Sequence, residues 1–113
     1  MTPVEFHPKA PVVIRSFSKD VRVEFGSALI KVQLGMTLGL PVSRPMPSIE
    51  QGAHELRFRD RNGIQRVFYY TKSKQGILVF HAFNKKTQKT PQREIIVGRK
   101  RLAEMVSHEK NEK

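Results

Sequence analysis

The stretch from His54 to Pro91, HELRFRDRNGIQRVFYYTKSKQGILVFHAFNKKTQKTP, constrains the fold more than any other part of the chain. Leu56 and Phe58 alternate with Glu55, Arg57 and Arg59, the period-two pattern of a half-buried strand. Asp60-Arg61-Asn62-Gly63 follows, and Asn-Gly is a strong hairpin signal because both residues tolerate positive φ. Ile64 to Thr71 is aromatic and β-branched, as strands prefer. Lys72 to Gly76 reads as a polar turn, and Gly76 to Phe83 is apolar enough for a central strand covered on both faces. Three strands joined by short loops predict an antiparallel meander.

The flanks predict helices. Ser18 to Leu34 reads as a helix with Ser18 as cap, Asp20 in the first turn and Gly35 as its end. Val21, Phe25, Ala28, Leu29 and Val32 form its apolar stripe. Val23, Ile30 and Leu34 lie off that stripe, to be covered by the N-terminal segment or by a partner. Thr90 and Pro91 open a last helix, as cap and first residue. Ile95, Arg99, Leu102 and Val106 share one of its faces, widened by Ile96, Ala103 and Met105. The tail from Ser107 to Lys113 is charged and is expected to fray.

Val4 and Phe6 suit a short edge strand, and Pro11 can open a short helix reaching Phe17. Gly35 to Pro47 contains Gly39, Pro41, Pro45 and Pro47 and reads as a connection. The whole is one α+β domain over residues 1–113, with helices on one side of a small antiparallel sheet and the other side open.

At 113 residues the chain can bury a core without staples, and it has no cysteine for disulfides or thiolate metal sites. Its four histidines show no ligand spacing, so neither metal nor cofactor is expected. No apolar run approaches the ~20 residues of a membrane span and no signal segment is visible, which predicts a cytoplasmic protein without membrane partners. Twenty-one Lys and Arg against ten Asp and Glu give a net charge of +11, which calls for a polyanionic partner, nucleic acid before an acidic protein segment.

Alternation places Arg66, Phe68 and Tyr70 on one face of the second strand, with Val67 and Tyr69 on the other. In the third strand it sets Ile77, Val79, His81 and Phe83 against Leu78, Phe80 and Ala82. If Arg57, Arg66 and His81 share a face, they can surround one phosphate, extended by Asn84, Lys85 and Lys86. Arginine forks stabilise charge on a phosphoryl group in the transition state. A histidine near neutrality can take a proton from an RNA 2′-OH or give one to the leaving oxygen. Tyr69, Tyr70 or Phe83 can stack on bases. Each residue also has a plainer reading: a solvated Arg57–Glu55 pair, a hydrogen-bonded structural His81, packing tyrosines, and lysines that only position phosphates.

The run ELR, eight residues, RVFYY, seven residues, LVFHAFNKKTQKTP resembles the phage-derived branch of the RelE/HigB family, toxins of type II toxin–antitoxin systems. The FGSALIKVQLG helix end and the REIIVGRKRLAEM helix fall where that family places them. The resemblance implies helices on one side of a curved antiparallel sheet, a microbial RNase-like fold. It also implies a metal-independent mRNA endoribonuclease acting on the ribosome. A cognate antitoxin, often a helix-turn-helix protein, would neutralise it, and operator DNA would be met only through that complex.

By resemblance, Arg66 is the arginine at the scissile phosphate, Arg57 and Arg59 belong to the preceding basic strand, and Lys85 and Lys86 occupy the basic position after the sheet. The chain lacks the terminal catalytic tyrosine or histidine of many relatives, so His81 stands in on chemistry alone. The expected catalytic set is therefore Arg57, Arg66, His81, Lys85 and Lys86, with Arg59, Tyr70, Phe83, Asn84 and Lys89 binding RNA. ParE-type relatives share the fold but inhibit DNA gyrase, and a basic module that only binds nucleic acid is the third alternative.

Overall fold

The computed structural model describes residues 1–111, with side chains as far as 108. Five strands and three helices follow in the order β1 (Val4–Phe6), α1 (Ala10–Arg15), α2 (Lys19–Gln33), β2 (Ser43–Pro45), β3 (Ala53–Asp60), β4 (Gly63–Ser73), β5 (Gly76–Lys85) and α3 (Gln92–Asn111). The sheet order is β1-β5-β4-β3-β2, and the expected meander β3-β4-β5 forms its centre. β1 runs parallel to β5 at one edge, so the sheet is mixed rather than purely antiparallel. At the other edge β2 pairs with β3, a strand hidden in what the prolines marked as a connection. Pro45 sits on its outer side, where a missing N–H costs no ladder bond.

Local chemistry sets the element ends. The Ser18 hydroxyl accepts the Val21 N–H at 3.3 Å, capping α2 as expected. Gly35, at φ 90°, takes the left-handed step after that helix. In the β3–β4 hairpin only Gly63 has positive φ, at 136°; Asn62 does not. The Asp60 carboxylate accepts the Asn62 N–H at 2.8 Å and folds the turn instead. Thr90 is not a cap: its hydroxyl donates to the Glu55 carboxylate at 2.6 Å, and the Pro91 carbonyl accepts the first helical N–H groups.

Two apolar layers flank the sheet. Val21, Phe25 and Ala28 of α2 and Ile14 of α1 pack with Leu56, Phe58, Val67, Tyr69, Ile77, Val79 and Ala82. Ile95 and Leu102 of α3 pack on the opposite face against Phe68, Leu78, Phe80 and Phe83. The expected open face is thus overturned, because α3 folds back over the sheet. Ile96 and Ala103 stay exposed, and Gly98 meets the sheet instead, against Phe68 and Phe80. The tail expected to fray from Ser107 runs on as helix to Asn111; residues 112 and 113 lie outside the described part.

A β-bulge corrects the alternation of β5. Tyr69 pairs with Val79 and Phe68 with His81, so Phe80 has no partner on β4. Past that extra residue the facing reverses. Ala82 joins Ile77 and Val79 beneath α1 and α2, while Phe83 joins Leu78 and Phe80 beneath α3.

Candidate nucleic-acid interface

Two rows of side chains cross the α3 face of the sheet. Register places Arg44, Glu55, Phe68 and His81 opposite one another in the first, and Arg57, Arg66 and Phe83 in the second. Directly opposed arginines repel across a sheet. The neighbouring row relieves the conflict with a fully buried carboxylate. Glu55 Oε1 accepts from Arg57 Nε at 2.8 Å and from Arg44 Nε at 3.1 Å, and Oε2 lies 3.8 Å from Arg66 Nε. Thr90 closes the network, accepting from Arg44 Nη2 at 2.8 Å while donating to Glu55. The plainer reading of Arg57 and Glu55, a solvated surface pair, does not hold: Glu55 is the buried centre of a hub.

Arg66 lies at the bottom of this hub with no exposed surface. Its Nη2 donates to the carbonyls of Thr87 and Gln88, and its guanidinium carbon sits 5.6 Å from the centre of the Phe83 ring. Its Nε and Nη1 have no hydrogen-bond partner. Burial, together with the neighbouring charge of Arg57, lowers its pKa; Glu55 acts against that shift.

His81 is also buried. Its Nδ1 accepts from Arg101 Nη1 at 2.8 Å, which leaves the proton on Nε2, 2.8 Å from Glu94 Oε1. Burial lowers its pKa, and the Arg101 charge adds to that, against the pull of Glu94. Its ring stacks on Phe83 at 5.3 Å. Glu94 also lies 3.8 Å from Lys85 Nζ. The histidine therefore clamps α3 to the sheet.

The covered face removes three residues from direct contact with RNA. Arg66 and His81 lie beneath the 87–90 turn and α3, and Phe83 is packed between Phe68 and His81. Tyr70 is half-buried on the same face, and Tyr69 lies on the other, its hydroxyl 2.8 Å from Ser43 Oγ. Asn84, Lys86 and Lys89 are exposed, and Lys85 is half-exposed.

Solvent reaches the hub from the β2–β3 side. There a cleft of about 870 Å³ is lined by Arg44, Arg57, Arg59, Glu55, Gln88 and Lys89, with Leu40, Pro41, Val42, Phe58, Ile64 and Glu24 around them. Arg44 and Arg57 are partly exposed along it, at 39% and 22% of their side chains. Arg44 was not legible as a site residue, because nothing in Ser43-Arg44-Pro45 marked a strand. Thr90, Glu94 and Arg101 were hidden for a similar reason: their partners lie on distant strands.

Such a cleft suits a phosphodiester. Guanidinium forks meet phosphate oxygens in two parallel hydrogen bonds, and here their positions are held by a buried carboxylate. Among the described residues no group of three or more acidic or histidine side chains gathers to hold a metal ion. Nor is any helix among them long and apolar enough to cross a membrane.

No curated protein matches the chain. Residues 13–103 match the family described as phage-derived protein Gp49-like (DUF891), from α1 through most of α3. The matched span covers the entire sheet except β1 and every residue of the guanidinium hub. The chain belongs to this Gp49-like family of phage-derived proteins.

Proposed function

We propose that the protein is a HigB-like toxin, a metal-independent endoribonuclease that cleaves messages on the ribosome and is silenced by a cognate antitoxin. The observation that carries this reading is the set of guanidinium groups on the cleft, Arg44 and Arg57 held by one buried carboxylate with Arg59 and Lys89 beside them. In RNA scission the 2′-oxygen attacks the adjacent phosphorus and the bond to the 5′-oxygen breaks. The 2′-OH loses its proton and the leaving oxygen gains one. Negative charge accumulates on the phosphoryl oxygens between these events, where prepositioned cations contribute most.

Arg44 and Arg57 take the phosphate in this reading. Arg59 and Lys89 hold the flanking backbone, with Asn84, Lys85 and Lys86 extending the basic track. Arg66 and Glu55 position the other two arginines from beneath. His81 acts on α3 rather than on RNA, since both its nitrogens are engaged inside the protein. The operator enters only through the antitoxin complex.

Mapping new message ends after adding the protein to translating ribosomes tests the reading. Arg57→Ala with Arg44→Ala should lower the cleavage rate by about 100-fold or more, measured below the reduced melting temperature that an unpaired, buried Glu55 brings. Undiminished cleavage by a folded double variant would refute the site. Intact messages accompanied by DNA breakage would refute the nuclease reading in favour of gyrase inhibition.

A further inference from the structure

The pairing of β2 with β3 stops at Ser43 opposite Leu56, and one more bond, from the Arg57 N–H to the Val42 carbonyl at 2.8 Å, closes that ladder. Beyond it the outer edge of β3, at Phe58 and Arg59, borders the cationic cleft. The cleft therefore has two unlike walls. Arg57 and Arg59 point to the α3 side of the strand, while Phe58 points to the α2 side, edge-on to Phe25. Leu40, Pro41 and Val42 add an apolar rim, with Leu40 79% exposed. A phosphate gains nothing from that rim, but the flat faces of an unpaired base can cover it. Glu24, exposed on α2, lines the same cleft. Its carboxylate makes no hydrogen bond or ion pair among the described residues, although Arg44, Arg57, Arg59 and Lys89 line the cavity with it.

A free carboxylate repels phosphate in a site otherwise built for anions, a cost that a neutral side chain would avoid. What it can hold is a pair of hydrogen-bond donors. We infer that Glu24 is a specificity-determining residue: the cleft takes single-stranded RNA with one guanine laid along Leu40, Pro41 and Val42, an adjacent phosphate on Arg44 and Arg57, and the guanine's pairing edge on the Glu24 carboxylate. Of the four bases only guanine presents two neighbouring donors, N1–H and N2–H, along that edge, and two carboxylate oxygens meet them as they meet a guanidinium fork. Adenine and cytosine set an amino group beside an acceptor nitrogen, and uracil sets one N–H between two carbonyls. Each of these gains at most one bond and brings an acceptor toward the charge. A duplex, whose pairing edges are already taken, cannot make the contact. That the guanine flanks the cleaved linkage rests on the nuclease reading; that the cleft binds it does not.

Short oligouridines with 2′-O-methyl riboses, which block scission, supply the probe, either unmodified in sequence or carrying one central guanine, inosine, adenine or cytosine. Anisotropy titrations should show the guanine strand binding about tenfold tighter than the all-uridine strand. Inosine, which lacks the N2 amino group, should fall between them. Glu24→Gln is the deciding variant, and an exposed side chain without a described partner leaves the fold intact when changed. Charge alone predicts that losing the carboxylate tightens every strand alike. Recognition predicts opposite directions: the uridine, adenine and cytosine strands tighten while the guanine strand weakens, and the preference collapses. A preference for another base, equal binding of guanine and inosine, or a guanine preference that survives Glu24→Gln overturns the inference. On translating ribosomes, new message ends should lie beside guanines for the parent and lose that bias in Glu24→Gln. Parent ends without the bias overturn the guanine's place at the cleaved linkage. Uncut messages refute the nuclease, while the binding measurements still decide the role of Glu24.

Discussion

Glu55 is the residue on which the site turns. Its carboxylate has no exposed surface and holds Arg44, Arg57 and Thr90, with Arg66 close by. Removing one partner of a buried ionic cluster leaves the others desolvated and uncompensated. Glu55→Ala should therefore lower the unfolding free energy by about 3–5 kcal/mol, read from denaturant titration. His81 makes a second prediction. Its folded pKa lies below the ordinary 6.5, so as pH falls through that value the unfolded chain takes up a proton that the folded chain refuses. Stability is full above pH 6.5 and declines below it, and His54, also lowered by burial, adds to the loss. His81→Gln should flatten the fall in melting temperature between about pH 7 and pH 5 relative to the parent.

Two helical glycines show how the elements differ. In α3, a Cβ added at Gly98 would lie 2.9 Å from Phe68 Cδ2 and 3.1 Å from its Cε2. The helix rides this close because Phe68 and Phe80 fill the space beneath it. Alanine would improve helix propensity by about 1 kcal/mol, but a buried ring cannot retreat without disturbing the packing around it. Gly98→Ala should be destabilising, by about 1–3 kcal/mol. Gly26 in α2 has nothing within 4 Å of the added carbon. Gly26→Ala should stabilise by about 0.5–1 kcal/mol, and thermal melts of the two variants should move in opposite directions.

For the whole molecule, a charge of +11 predicts salt-sensitive association with RNA. The logarithm of affinity for single-stranded RNA should fall linearly with the logarithm of salt, each phosphate contact contributing about 0.7 to the slope. Losing Arg44 and Arg57 together should shallow that slope by about 1–2, whereas an exposed lysine far from the cleft should change it less. Anisotropy titrations across salt concentrations check both.

The sequence by itself determined most of the elements. Period-two alternation marked β3, and Ser18 and Gly35 marked the ends of α2. These signals are local, so no long-range contact is needed to see them. Only the tertiary structure decided where the site opens. The bulge at Phe80 turned Phe83 beneath α3, and the return of α3 buried Arg66 and His81. The hidden β2 strand brought Arg44 to Glu55, and Thr90 left its capping place for the same carboxylate. Each of these depends on a partner many residues away, and periodicity along one segment carries no information about which distant group will neutralise a buried charge.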